Sequence, residues 1–175
     1  MDSLDLNRLS GTQLITSPLS TDLPGELQSF SFISFSASSA NIAPILRDTT
    51  VTLLPVFEDA AAPVGSVGTP ISSIINFNNV TDNGQIGIAI TEVGTGSNGT
   101  WYFTTDGGRA WAPLTNVSES SAILLLANSN SRIYFQPVAD YNGFISSAIT
   151  FRAWDTTDGT AGSTANVATN GGTTA

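Results

Sequence analysis

The stretch QIGIAIT, residues 85–91, constrains the fold of this chain most strongly, because it places Ile86, Ile88 and Ile90 at every second position. Successive side chains of a β-strand point to opposite faces, so this spacing predicts a strand with one apolar face. Further short apolar runs predict more strands: VTLL (51–54), PISSIIN (70–76), TWYFTT (100–105), AILLLA (122–127), RIYFQP (132–137) and AITFRAW (148–154). Turn-forming sequences such as TDNG, ANSNS and DYNG separate these runs. The pattern predicts an all-β fold, an antiparallel two-sheet sandwich, with a β-barrel as the alternative.

The composition excludes several classes of function. The 175 residues include no Lys, His or Cys, and 14 acidic residues face 5 Arg for a formal net charge of -9. We expect no nucleic-acid partner, because neutralising phosphates needs clustered Lys and Arg. Without His and Cys the chain lacks disulfides, imidazole and thiolate ligands, and every Ser-His or Cys-His nucleophile pair, so we expect no enzyme. The oxygen donors that remain suit a hard cation such as calcium.

We expect neither membrane insertion nor an export signal within the chain. AILLLA, among the longest apolar runs, is far below the roughly 20 residues that a transmembrane helix needs. Residues 1–20 contain neither the basic nor the apolar region of a signal peptide. If the protein is exported, we therefore expect its export signal elsewhere on a longer polypeptide.

The two ends of the chain differ from the middle. Residues 1–40 are predicted to form a partly ordered N-terminal extension or linker, with one strand in FSFISFS (30–36), whose alternation shifts by one residue. The shift indicates either a β-bulge or a strand that is covered on both faces. Residues 155–175 contain Val167 as their only sizeable apolar side chain, so we expect mostly loop there. Because a sandwich would close with another strand, we expect that final strand beyond Ala175 and an unpaired sheet edge without it.

The stretch TTDGGRAW (104–111) is similar to the Asp-box of sialidase propellers, Ser/Thr-x-Asp-x-Gly-x-x-Trp. In a hairpin, Asp106 can accept backbone amide bonds across the turn, the two glycines permit positive φ, and Trp111 can pack over the loop. A propeller needs about four or more blades, but the motif occurs once in a chain too short for them. The five Arg residues are also spread singly, so they form no cluster for a sugar carboxylate. The motif therefore predicts a structural hairpin, and a glycoside-cleaving enzyme is the least favoured hypothesis.

Five further segments follow one another along the chain: NIAPIL (41–46), FEDAAAPVG (57–65), NVTDNG (79–84), NGTWYFTTDGGRAW (98–111) and SRIYFQPVADYNGFISSAITFRAWD (131–155). In this order and spacing they resemble the cadherin-like repeats of giant bacterial surface and biofilm adhesins, over residues 41–175. The resemblance implies an immunoglobulin-like or cadherin-like sandwich, one tandem module of a stalk at the cell surface. It also implies that the partners are neighbouring repeats of the same polypeptide and a cell-surface protein or glycan.

By position, the resemblance implies six candidate calcium ligands: Glu58, Asp59, Asp82, Asp140, Asn142 and Asp155. Clustered Asp, Glu and Asn on loops suit calcium, which takes about six to eight oxygen ligands. The candidates also have a structural interpretation, in which the DYNG loop is a turn capped by its Asp and the acids after Phe57 are solvated loop charges. The chain departs from animal cadherins before Asn41, where Ser38, Ser39 and Ala40 stand in place of an acidic linker.

The leading hypothesis is a non-enzymatic, extracellular module for spacing and adhesion, stiffened by calcium. The alternative is a carbohydrate-binding module, because Trp101, Trp111 and Trp154 could form a surface platform for sugar rings. At least one of these three side chains is expected in the core of the sandwich instead.

Overall fold

The computed structural model describes residues 41–47, 51–94, 98–169, 171 and 174, so the predictions for residues 1–40 lie outside the described residues. Within the described ranges the chain forms ten strands. They are β1 (Ile45–Leu46), β2 (Thr69–Pro70), β3 (Val80–Thr81), β4 (Gly87–Val93), β5 (Gly99–Thr104), β6 (Ala112–Pro113), β7 (Ala122–Leu126), β8 (Arg132–Pro137), β9 (Ile149–Trp154) and β10 (Thr164–Ala165). A short 3-10 helix, Ile71–Ser73, follows β2.

The strands form two four-stranded sheets and one two-stranded ribbon, and every pairing is antiparallel. The first sheet has the order β10-β7-β4-β9, the second has the order β2-β8-β5-β6, and β1 pairs with β3. Among the described residues no strand pairing joins the two large sheets, which favours a sandwich over a barrel. The predicted all-β, antiparallel two-sheet sandwich is therefore confirmed.

The apolar side chains of the two sheets meet in one core. Ile88 and Ile90 of β4 are fully buried, as their period-two spacing predicts. They belong to the same packed cluster as Trp101 of β5 and as Ile133 and Phe135 of β8. The rings of Trp101 and Phe135 lie 4.9 Å apart between centroids, at an angle of 46°. Burying each isoleucine or phenylalanine side chain contributes about 1.5–3 kcal/mol, so this cluster is the main source of stability.

The first sheet is also covered on its outer face. Ala89, Leu124 and Trp154 pack in a second buried cluster with Ala122 and Val167. Strand β7 supplies buried residues to both clusters, because successive side chains of a strand point to opposite faces. Burial on both faces explains why its sequence, AILLL, is continuously apolar rather than alternating.

The outer cover comes from the segment after β9, for which the sequence predicts mostly loop. The indole Nε1 of Trp154 donates to the carbonyl of Asp158 at 2.8 Å, and β10 pairs with β7. Gly159 adopts a φ of +86°, and a Cβ at this position would overlap the side chain of Leu124. The outward Trp154 and Leu124 supply the apolar surface that this polar segment lacks, and β10 covers the edge of β7.

Two of the predicted strands are wrong. In PISSIIN the amides of Ile74 and Ile75 both donate to the carbonyl of Ile71, at 2.9 and 3.0 Å, so the segment is a helical turn. The three isoleucines are buried at the i, i+3, i+4 spacing of such a turn. VTLL forms no strand, and it is connected to β2 by the amide of Leu54, which donates to Oγ1 of Thr69 at 2.9 Å. Strands β1, β2, β3, β6 and β10 have two residues each, too few to show a period-two pattern.

We predict that Val167→Ala lowers the free energy of unfolding by about 1–3 kcal/mol, because it removes two methyl groups from a buried side chain. Urea denaturation measures this change. The control is Val64→Ala, at a side chain that is 83% exposed, where we expect a change below about 0.5 kcal/mol. Equal effects of the two substitutions would contradict the packing of the segment after β9 on the first sheet.

Candidate functional site

The strand register divides the six candidate ligands between opposite ends of the sandwich. Gly87 at the start of β4 pairs with Trp154 at the end of β9, so the loops before β4 and after β9 lie together. Gly99 at the start of β5 pairs with Pro137 at the end of β8. The chain leaves β4 at the end opposite to Gly87 and begins β5 there. The loop after β8 therefore lies at that opposite end of the sandwich. We call the two ends the Asp155 end, with Asp82 and Asp155, and the Asp59 end, with Glu58, Asp59, Asp140 and Asn142.

Asp155 is the one acidic residue among the described ranges whose side chain is buried, with 2% of its surface exposed. Its Oδ1 accepts hydrogen bonds from the amide and the hydroxyl of Thr157, at 2.9 and 2.7 Å. Its Oδ2 is buried and has no hydrogen-bond partner among the residues that the structure describes. Burying a carboxylate oxygen without a partner costs free energy, so a ligand at this atom would stabilise the fold.

Asp82 lies between β3 and β4, at the same end. Its Oδ1 accepts a hydrogen bond from the amide of Gly84 at 2.7 Å. Its Oδ2 is also buried, and no described residue donates a hydrogen bond to it. The two loops are connected directly, because the hydroxyl of Thr156 donates to the carbonyl of Gln85 at 3.2 Å. The Asp155 end therefore holds two buried carboxylate oxygens with unused acceptor capacity.

The donors at the Asp155 end fit a hard cation in type, but they are few. Carboxylate oxygens are ligands that calcium prefers. No group of three or more Asp, Glu, His or Cys side chains in the described part of the chain could hold a metal ion. Because calcium takes about six to eight oxygens, backbone carbonyls, hydroxyls such as that of Thr156, and water would have to supply the others.

At the Asp59 end, two of the candidate ligands contact each other. The amide of Asp140 donates to Oδ1 of Asp59 at 2.9 Å, and both residues adopt a left-handed φ of 60°. Asp tolerates this conformation better than most residues with a side chain. Asp59, rather than Asp140 itself, thus supplies the carboxylate that binds a backbone amide of the DYNG loop. Glu58 and Asn142 are exposed at the same end.

The TTDGGRAW stretch forms the β5–β6 hairpin, as predicted. Oδ1 of Asp106 accepts hydrogen bonds from the amides of Arg109 and Ala110, at 2.9 and 3.1 Å. The hydroxyl of Thr104 donates to the same oxygen at 2.7 Å. These bonds stabilise the ionised carboxylate, and the bond from Thr104 is the largest cause that lowers the pKa of Asp106 below its ordinary value of 3.8.

The hairpin packs on the loop before β2. The indole Nε1 of Trp111 donates to the carbonyl of Gly65 at 3.3 Å, and the hydroxyl of Ser66 donates to the carbonyl of Gly107 at 2.7 Å. Gly108 adopts a φ of +93°, and a Cβ at this position would overlap the carbonyl of Gly65. The polar groups of the motif therefore bind backbone atoms of the hairpin and of this neighbouring loop.

The structure does not bring the three Trp side chains together as one platform. Trp101 is 5% exposed and Trp154 is 2% exposed, and each belongs to a different buried cluster. Trp111 is half-buried and stands edge-on to Tyr134, with 6.2 Å between ring centroids. The carbohydrate-binding alternative depends on three Trp side chains. Of these, Trp111 alone is partly exposed.

Comparisons with known proteins find no match among family models, curated proteins or solved structures. No helix in the described ranges is long and apolar enough to cross a membrane. The function of the chain must therefore be inferred from its sequence and from the geometry of the Asp155 and Asp59 ends.

We predict that Asp106→Asn reduces the loss of stability on acidification. A carboxyl whose folded pKa lies below its unfolded value stabilises the fold above that unfolded value, and the contribution is lost as the pH falls through the folded pKa. Between neutral pH and about pH 2, the Tm of the wild-type chain should therefore fall further than that of the variant. Glu92→Gln, at an exposed carboxyl of β4, serves as the control and should follow the wild-type curve. If the Tm of Asp106→Asn falls with pH as steeply as that of the wild type, the role assigned to Asp106 is contradicted.

Proposed function

We propose that this chain is a non-enzymatic β-sandwich module of a larger bacterial surface protein, where it acts as a spacer and adhesion unit stiffened by calcium. The observation that carries the calcium part is Oδ2 of Asp155, which is buried and has no partner within the described ranges. A cation offsets the cost of burying a carboxylate more fully than a neutral partner does, because it compensates the charge itself.

A cation at the Asp155 end would connect the loop before β4 with the segment after β9, at the end where β4 and β9 are paired. Asp155 begins the segment that covers the outer face of the first sheet, and Asp82 leads into β4. The hydrogen bond from Thr156 to Gln85 already holds the two loops together. A ligand that binds the folded state alone raises the free energy of unfolding by mass action. It would also restrain the loops at this end, which is what a stiff spacer requires.

Both ends of the sandwich carry oxygen-bearing side chains, which suits a unit in a linear array. The Asp155 end holds Asp82 and Asp155, and the Asp59 end exposes Glu58 and Asn142. Neighbouring repeats of the same polypeptide would meet these ends, and a cell-surface protein or a glycan would be the adhesion partner. The proposal includes an extracellular location at the cell surface. That location rests on the resemblance to bacterial adhesin repeats.

The described carboxylates support a structural role rather than a catalytic one. Oxygens of Asp59, Asp82, Asp106 and Asp155 each accept hydrogen bonds from backbone amides in loops. The two carboxyl groups of a glycosidase flank one scissile bond in a shared cleft, whereas Oδ1 of each of these residues binds a backbone amide of the fold. The sequence also has neither His nor Cys for a nucleophile–base pair.

We predict that millimolar calcium raises the Tm of the wild-type chain above its value in chelator, and that Asp155→Asn removes most of the increase. The substitution keeps the size of the side chain but removes the charge that would bind the cation. At a free calcium concentration of 100 times the Kd, the stabilisation amounts to about 2.7 kcal/mol. Differential scanning calorimetry in calcium, in magnesium and in chelator measures the response of each variant.

Asp140→Asn is the matched control, because it removes an exposed carboxyl at the Asp59 end and should leave the calcium response intact. Asp82→Asn should reduce the response. An unchanged wild-type Tm in calcium would remove the cation from the proposal. A response lost in Asp140→Asn but kept in Asp155→Asn would contradict the choice of the Asp155 end.

A further inference from the structure

We propose that Asn142 is a site of spontaneous deamidation, through which the Asp59 end gains a carboxylate. The chain contains four Asn-Gly pairs, which begin at Asn83, Asn98, Asn142 and Asn170. In such a pair the amide nitrogen of the glycine can attack the side-chain carbonyl carbon of the Asn, because glycine has no side chain to obstruct the approach. Asn170 lies outside the described residues, and the other three pairs differ in their surroundings.

The reaction needs only the chain and water. A bond forms between the amide nitrogen of Gly143 and Cγ of Asn142, while the bond between Cγ and Nδ2 breaks. The proton lost by the Gly143 amide passes through solvent to the leaving nitrogen, which departs as ammonia. Water then opens the cyclic imide at one of its two carbonyls, which leaves an aspartyl or an isoaspartyl residue at position 142.

The peptide between Asn142 and Gly143 belongs to no strand, although the ring of Tyr141 lies against Gly143, where an added Cβ would be 2.8 Å from its hydroxyl oxygen. Both residues are exposed in the irregular loop between β8 and β9, and neither forms a hydrogen bond with the described residues. Two residues of this loop, Asp140 and Ser147, adopt left-handed φ values of 60° and 55°. Exposed loops with few backbone hydrogen bonds open locally at low free energy, so the backbone can rotate without unfolding of the sandwich.

The other two described pairs are restrained. The amide of Gly84 donates to the carboxylate of Asp82 at 2.7 Å, and a charged acceptor opposes loss of the amide proton that the attack requires. Gly99 belongs to β5, and a Cβ at this position would overlap the ring of Phe135. The carbonyl of Asn98 accepts a backbone amide from the loop after β8, at 2.9 Å. Attack at Asn98 therefore requires opening of the strand pairing first.

Deamidation at position 142 changes the electrostatics of the Asp59 end. It replaces a neutral amide with a carboxylate, so the formal net charge becomes one unit more negative than -9. The new carboxylate lies two residues from Asp140, whose amide is bound by Asp59, and at the same end as Glu58. The Asp59 end then presents a more acidic set of oxygens, which favours binding of a hard cation there. This inference is independent of calcium binding at the Asp155 end.

Peptide mapping of the full 175-residue chain tests the proposal. The folded protein is incubated at mildly alkaline pH and then cleaved after Arg. Fragment 133–152 contains Asn142 as its only Asn, whereas fragment 48–109 contains both Asn83 and Asn98. Breaking a hydrogen bond to a charged acceptor slows the attack about tenfold or more, so Asn142 should deamidate at least about tenfold faster than Asn83. Asn142→Gln should remove the deamidated form of fragment 133–152.

The same incubation in urea is the control for the folded structure. All three pairs then share an unfolded backbone, and their rates should converge. Equal rates of Asn142, Asn83 and Asn98 in the folded chain would overturn the proposal. A faster deamidation of Asn142 that persists unchanged in urea would also overturn the proposal. The local sequence rather than the folded structure would then set the rate.

Discussion

Burial of the first sheet on both faces is the constraint on which the rest of the structure depends. Strand β4 sends Ile88 and Ile90 into the core between the sheets and Ala89 to the outer cluster. Strand β7 likewise places Leu125 in the core between the sheets and Leu124 in the outer cluster. A sheet of this kind needs a second apolar cover to remove its outer face from water. The chain provides that cover with the segment after β9, although the segment itself is largely polar.

Trp154 links this cover to the Asp155 end. Its ring lies over Gly87, where a Cβ would be 2.6 Å from Cε3, and its indole N–H binds the carbonyl of Asp158. The residue that follows, Asp155, is buried, and one of its carboxylate oxygens has no partner in the described part of the chain. The feature from which we infer cation binding therefore lies next to the tryptophan that holds the cover. The same tryptophan is unavailable as a surface platform for sugars.

The long core strands could be predicted from the sequence because each carries an alternating or continuous apolar pattern over five or more residues. The β5–β6 hairpin could be predicted because the turn chemistry around Asp106 is local. The order in the segment after β9 could not be predicted, because Val167 is buried only where Trp154 of β9 and Leu124 of the more distant β7 face outward. Likewise, the six candidate ligands could be proposed individually, but their division between two ends depends on the register of strands far apart in sequence.

Hydrogen exchange of the native chain tests double-sided burial most directly. Amides in β4 and β7 should exchange only through global unfolding, with free energies equal to those from denaturation, because both faces of these strands are packed. Amides around β6, a two-residue edge strand with exposed side chains, should exchange through local opening at lower free energies. Exchange of β4 and β7 as fast as that of β6, in a chain that remains folded, would contradict the account.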